Sequence, residues 1–145
     1  MQIQPWLSYA LLSALAAAFV GIFGKVGMKD VDSNLATAVR SVVMTVFLAG
    51  FCSMLGLWSK VSTIQGKAMG MIVLSGVAGA VSWLFYFKAI QVGTVSQVAP
   101  IDKLSMPLAV VLAVLLLGDR PAGVNWIGVA LIAIGGYLAS LPRPA

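Results

Sequence analysis

The chain has 145 residues, 61% of them hydrophobic and only 9% charged, with a formal net charge of +5, no His and one Cys. An ordinary globular domain carries about 25% charged residues, and a chain this short has too little interior to hide so much apolar surface from water. A water-soluble domain is therefore excluded, and lipid is the outer solvent.

Uncharged runs mark the spans. The first covers Met1 to Gly24, with a helix expected over about 5–24 and Trp6 as an interfacial anchor. Lys25 to Ser33 is polar, and Asp32, Ser33 or Asn34 is placed to cap the next helix. The second span runs from about Leu35 to Trp58 and contains Arg40. Ser59 to Lys67 connects it to a third, about Ala68 to Ile90, which closes on Trp83, Tyr86 and Lys88. Gln91 to Ser96 makes a short turn around Gly93. The fourth span, about Gln97 to Leu117, is interrupted near its start by Pro100, Asp102, Lys103 and Pro107. Gly118 to Gly123 is a tight turn, and the fifth span runs from Val124 to Leu141, where Pro142 ends it.

Each run approaches the ~20 apolar residues that cross a hydrocarbon core about 30 Å thick. Backbone groups in lipid must be paired internally, which requires helices or a closed barrel. A barrel strand alternates in polarity, whereas Val110 to Leu117 is apolar throughout. The expected fold is an all-α integral membrane protein, a bundle of about five transmembrane helices forming one domain over residues 1–145. The first run is longer than the core of a secretory signal, about 7–15 residues, and has no charged side chain before Lys25. It is therefore expected to remain as a span.

The nine basic residues are scattered singly rather than clustered on one face, which argues against nucleic acid as a partner. Cys52 lies in an apolar stretch and reads as a structural thiol; no metal site or cofactor is expected. Small residues recur at helical spacing: Ser75 with Gly79, Gly76 with Ala80, and Gly128 with Gly135 and Gly136. They allow helix backbones to approach closely in lipid. Packing within the chain explains them, and Gly128, Gly135 and Gly136 are also candidates for a dimer seam.

Loop charge does not choose an orientation. Lys60, Lys67 and Arg120 fall on the N-terminal side of the membrane, and Lys25, Lys29, Lys88 and Arg143 on the other, three against four. Since Lys and Arg in short loops normally set the topology, this balance fits either a misplaced span end or insertion in both orientations.

Ionisable residues within a span are costly and mark functional sites by default. Arg40 lies about 9 Å into the second helix at 1.5 Å per residue, and Asp102 and Lys103 are about as deep in the fourth. Both helices enter from the side that also receives Lys25 and Lys88, with Trp83 and Tyr86 nearby. One reading pairs Arg40 with Asp102 and lets Lys25 and Lys88 snorkel outward. The other is a polar vestibule with net positive charge, suited to a carboxylate or phosphate because the guanidinium matches such groups. In it, Asp102 is the deep acid on which a coupling proton would ride. Pro100 and Pro107 flank the acid–base pair, and each removes a backbone hydrogen bond and bends the axis. Carbonyls freed at such breaks bind ligands in transporters with discontinuous helices.

Residues Val98 to Gly136 resemble the C-terminal part of an EamA domain, the repeat of the drug/metabolite transporter superfamily. The resemblance rests on Pro100, Leu104, Pro107, the run Leu117-Gly118-Asp119-Arg120, Gly128, Leu131-Ile132 and Gly135. Gly21 and Lys25 at the end of the first helix, and Arg40 in the second, fit as well, so the likeness covers nearly the whole chain. Asp119 stands where the family usually has Glu. The resemblance implies a transporter of small metabolites or drugs in the bacterial cytoplasmic (inner) membrane, not an enzyme. Typical members fuse two such repeats in opposite orientation, ten helices in all. This chain is one repeat, so the arrangement is recovered by an antiparallel homodimer of dual topology. Small multidrug-resistance antiporters differ: they carry a Glu in their first helix, and this chain has no Glu.

The leading expectation is thus a secondary transporter working by alternating access, with Arg40, Asp102, Lys103, Trp83 and Tyr86 as substrate-binding or coupling residues. No G-x-x-x-x-G-K-[ST] motif occurs, so a gradient or exchange would drive it. The alternative is a non-transporting membrane subunit that packs with or regulates another membrane protein. An intramembrane enzyme lacks a nucleophile beside an evident base.

Overall fold

In the computed structural model the described residues are 4–142; Met1, where the first apolar run begins, and Arg143, one of the loop charges, lie outside them. The described residues form helices and turns with no strand. The helices are α1 (Pro5–Gly27), α2 (Ser33–Met54), α3 (Gly66–Val92), α4 (Val95–Asp102), α5 (Ser105–Leu112) and α6 (Gly123–Ser140), with a 3₁₀ segment at Leu57–Thr63 and a π-type turn at Ala113–Leu117. With α4 to Leu117 taken as one broken span, five segments are long and apolar enough to cross a membrane. Large apolar side chains such as Phe47, Phe85, Leu116 and Leu131 stand exposed along them, a surface that lipid can solvate and water cannot.

The local causes are visible in the sequence. Pro5 opens α1, a position where its missing N–H costs nothing. Asp32 caps α2, its carboxylate accepting from the N–H groups of Asn34 (2.8 Å) and Leu35 (3.2 Å). The second helix ends at Met54 rather than at the expected Trp58. Gly56 takes a left-handed φ of 63°, which stops the helix, and Trp58 lies in the 3₁₀ segment with its indole N–H on Ser53 Oγ at 2.8 Å. Gly118, with φ 75°, ends the π-type turn, and its N–H and that of Asp119 both reach the carbonyl of Ala113.

Contacts divide the chain into two units: Gly24–Gln91, and the described residues up to Phe23 with those from Val92 onward. In the first, Met28, Phe87 and Ile90 are buried together with the polar Ser33 and Thr37. Beyond Ser33, whose buried Oγ has no hydrogen-bond partner among the described residues, hydroxyls on α2 satisfy themselves along the helix. Thr37 donates to Ser33 O (2.7 Å), Ser41 to Thr37 O (2.9 Å) and Thr45 to Ser41 O (2.9 Å), so these donors are not left bare in an apolar medium. In the second unit α6 packs along α4 and α5. Gly136 makes this approach possible: a Cβ there would stand 2.9 Å from the carbonyl oxygen of Pro100.

Candidate functional site

Arg40 is the charged residue farthest inside α2, two turns past its cap. The spacing of Trp83, Tyr86 and Phe87 on α3, at i, i+3 and i+4, puts their rings on one helix face. The Arg40 guanidinium carbon sits 3.7 Å from the Trp83 ring centroid and 4.8 Å from that of Phe87. Trp83 and Phe87 stack at 5.5 Å with 23° between planes, and Tyr86 stands edge-on to both, at 5.7 Å and 5.6 Å. A cation over aromatic faces gains about 2 kcal/mol or more once water is removed, so the rings supply much of what lipid withholds. Within its unit, among the described residues, Arg40 has no acid partner and donates no hydrogen bond. Its N–H fork keeps all its donors.

Lys25 does not snorkel outward. Its Nζ donates to the carbonyls of Ile90 (2.6 Å) and Gln91 (3.4 Å), which belong to the last turn of α3 and have no donor within the helix. A cation there also opposes the negative end of the helix dipole. Lys88 donates to Gln91 Oε1 (3.4 Å), and Gln91 Nε2 donates to Val31 O (3.0 Å), tying the turn before α2 to the same end of α3.

Asp102 and Lys103 belong to the other unit, at the break between α4 and α5. Lys103 Nζ lies 3.2 Å from Asp102 Oδ2, and their side chains are 53% and 31% exposed, Lys103 the more so. Pro107 makes the break: it has no N–H for the carbonyl of Lys103, four residues back, and its ring pushes that carbonyl aside. Met106 N–H bonds it instead (3.0 Å), and Leu104 N–H turns to Ile101 O (3.0 Å). Pro100 lies inside α4. Its carbonyl has lost Leu104 as a donor and is the one that faces Gly136. Gly128 and Gly135 meet nothing within 4 Å. An open groove of about 680 Å³ in this unit is lined by Thr94, Ser96, Gln97, Ala139 and Leu141, none of them an expected site residue.

Arg40, Trp83 and Tyr86 are thus brought together, and Asp102 with Lys103, each group in its own unit. Sequence reasoning missed Phe87, the most buried ring of the cluster at 2% exposure, and Gly24, on which it rests. The i+4 spacing of Phe87 from Trp83 is the signal that could have found the first; nothing in the sequence marks Gly24 apart from its neighbours.

Five apolar helical spans with a cation set on aromatic rings inside one of them define a polytopic helical membrane protein. Residues 4–141 match the EamA-like transporter family, and the chain belongs to that family of membrane transporters. An uncharacterized transporter in the cobO 3' region of a Sinorhizobium species is 41% identical over 138 residues, which cover 95% of this chain and 98% of that protein. A riboflavin transporter of Rhizobium johnstonii is 29% identical over 134 residues, 90% of this chain but 44% of the relative. No solved structure matches.

Proposed function

We propose that the protein is a secondary transporter of a small metabolite or drug carrying a carboxylate or phosphate, and that it works as an antiparallel homodimer by alternating access. The observation that carries the substrate class is the Arg40 guanidinium, held on Trp83 and Phe87 inside a span with its N–H fork unspent. A carboxylate or phosphate takes that fork in a bidentate way while the rings hold the opposite charge in place. Trp83 and Tyr86 add faces and edges for a planar or apolar part of the solute. Asp102, paired with Lys103 beside the α4–α5 break, is the coupling acid in this reading.

The dimer rests on different grounds. A double-length relative aligns with this chain over less than half of itself, whereas the Sinorhizobium relative is matched almost end to end. A single repeat with an odd number of spans inverts only by inserting both ways, which loop charges of three against four permit. Gly128 and Gly135, open along α6, are the seam residues, Gly136 being also in contact with Pro100.

Flux into liposomes from purified protein tests the transport reading. Benzoate and benzylphosphonate serve as anionic probes, with riboflavin as a comparison suggested by the name of the Rhizobium relative. Uptake that saturates and falls with Arg40→Gln supports it; no flux of any probe from the pure protein favours the non-transporting alternative. For the dimer, impermeant labelling of a Lys60→Cys variant in the Cys52→Ala background is expected from both membrane faces. Labelling from one face alone would exclude dual topology.

A further inference from the structure

The Arg40 stack has a foundation outside α2 and α3. A Cβ on Gly24 would overlap Cε1 of Phe87 and stand 3.2 Å from its Cδ1 and Cζ. The obstacle is a rigid ring at 2% exposure, so it has little room to withdraw. Gly27, one turn on, meets nothing within 4 Å. Next to Gly24, Lys25 holds the carbonyl of Ile90, which lies one turn beyond Phe87 on α3 and is fully buried. The end of α1 therefore grips α3 twice, once through a notch that admits the Phe87 ring and once through a charged hydrogen bond. Phe87 in turn carries Trp83, and both rings carry the guanidinium.

We infer that Gly24 is a positioning residue for the Arg40 guanidinium, acting through Phe87 and Trp83, with Lys25 fixing the end of α3 that bears them. The functional consequence rests on Arg40 being the substrate cation; the geometry of the stack does not. Moving the Phe87 ring by the width of a methyl group tilts Trp83 and shifts the guanidinium, which changes the angle at which its N–H fork meets an anion. Gly24 thus sets the affinity for the anion without touching it.

The test uses full-length protein in nanodiscs with Trp6, Trp58 and Trp126 replaced by Phe, so that Trp83 is the one indole reporting. Arg40→Gln defines the emission signature of a bare indole face. Gly24→Ala is expected to shift Trp83 emission toward that signature, and Gly27→Ala to leave it in place. In the Phe87→Leu background, where the notch is no longer filled by a ring, Gly24→Ala is expected to have no further effect. Lys25→Met, which leaves the notch open, should give a smaller shift and keeps the question answerable if Gly24→Ala fails to fold. Unchanged emission in both Gly24→Ala and Lys25→Met, or a Gly24→Ala shift that persists undiminished in the Phe87→Leu background, would overturn the inference. So would an emission indifferent to Arg40→Gln. A stack that behaves as expected while Arg40→Gln spares benzoate flux would instead refute the transport role of Arg40 and leave the positioning intact.

Discussion

The two units solve the same problem, a charge within an apolar span, in opposite ways. In Gly24–Gln91 the cation of Arg40 is stabilised by the faces of Trp83 and Phe87 and no acid of that unit meets it. In the other unit Asp102 is answered by its sequence neighbour Lys103 at a helix break. Aromatic faces steady a charge without consuming its hydrogen bonds, whereas an ion pair consumes them. The first arrangement leaves donors for an external anion, as the proposed transport role of Arg40 requires, and the second keeps its two charges on each other.

The sharpest way to break this comparison is Arg40→Gln. A charge-assisted hydrogen bond contributes about 1.5–3 kcal/mol, so loss of the fork should lower flux of an anionic probe roughly 10- to 100-fold. Initial rates in proteoliposomes decide it; a loss equal for neutral and anionic probes would mean that Arg40 serves the fold alone. Gly136→Ala addresses the other unit. Forcing a methyl group against the Pro100 carbonyl should destabilise by about 1–3 kcal/mol, seen as a lower thermal midpoint in detergent, while Gly128→Ala and Gly135→Ala stay near the parent. Gly118→Ala should cost about 1–2 kcal/mol, because φ 75° brings Cβ against the backbone in the left-handed region. Asp102→Asn should change stability least, by about 0–1 kcal/mol, because a partly exposed pair is weak. Its effect is on the pH dependence of flux, which is expected to flatten; an unchanged pH profile would exclude Asp102 as the coupling acid.

Lys25 and Gly136 show where sequence reasoning stops. Lys25 has the position of a snorkelling lysine, and only the arrival of the end of α3 beside it turns the side chain inward onto Ile90 O. Gly136 shares its spacing with Gly128 and Gly135, yet it alone of the three meets Pro100. Such choices are made by partners far apart in the chain, and no local pattern encodes them. Arg40, Trp83 and Tyr86 were legible because a cation and interfacial aromatics inside uncharged runs stand out whatever surrounds them.

What the amino-acid sequence alone determined is the solvent and the secondary structure. Long uncharged runs cannot be hydrated and must pair their backbone internally, so helices across lipid follow from composition and order. Tertiary structure decided what each charge faces: rings for Arg40, helix-end carbonyls for Lys25, a neighbour at a proline-made break for Asp102. The reason is range. Hydrophobic length and backbone pairing act within a segment, whereas the partner of a side chain is fixed by which helices come within a few ångströms of one another.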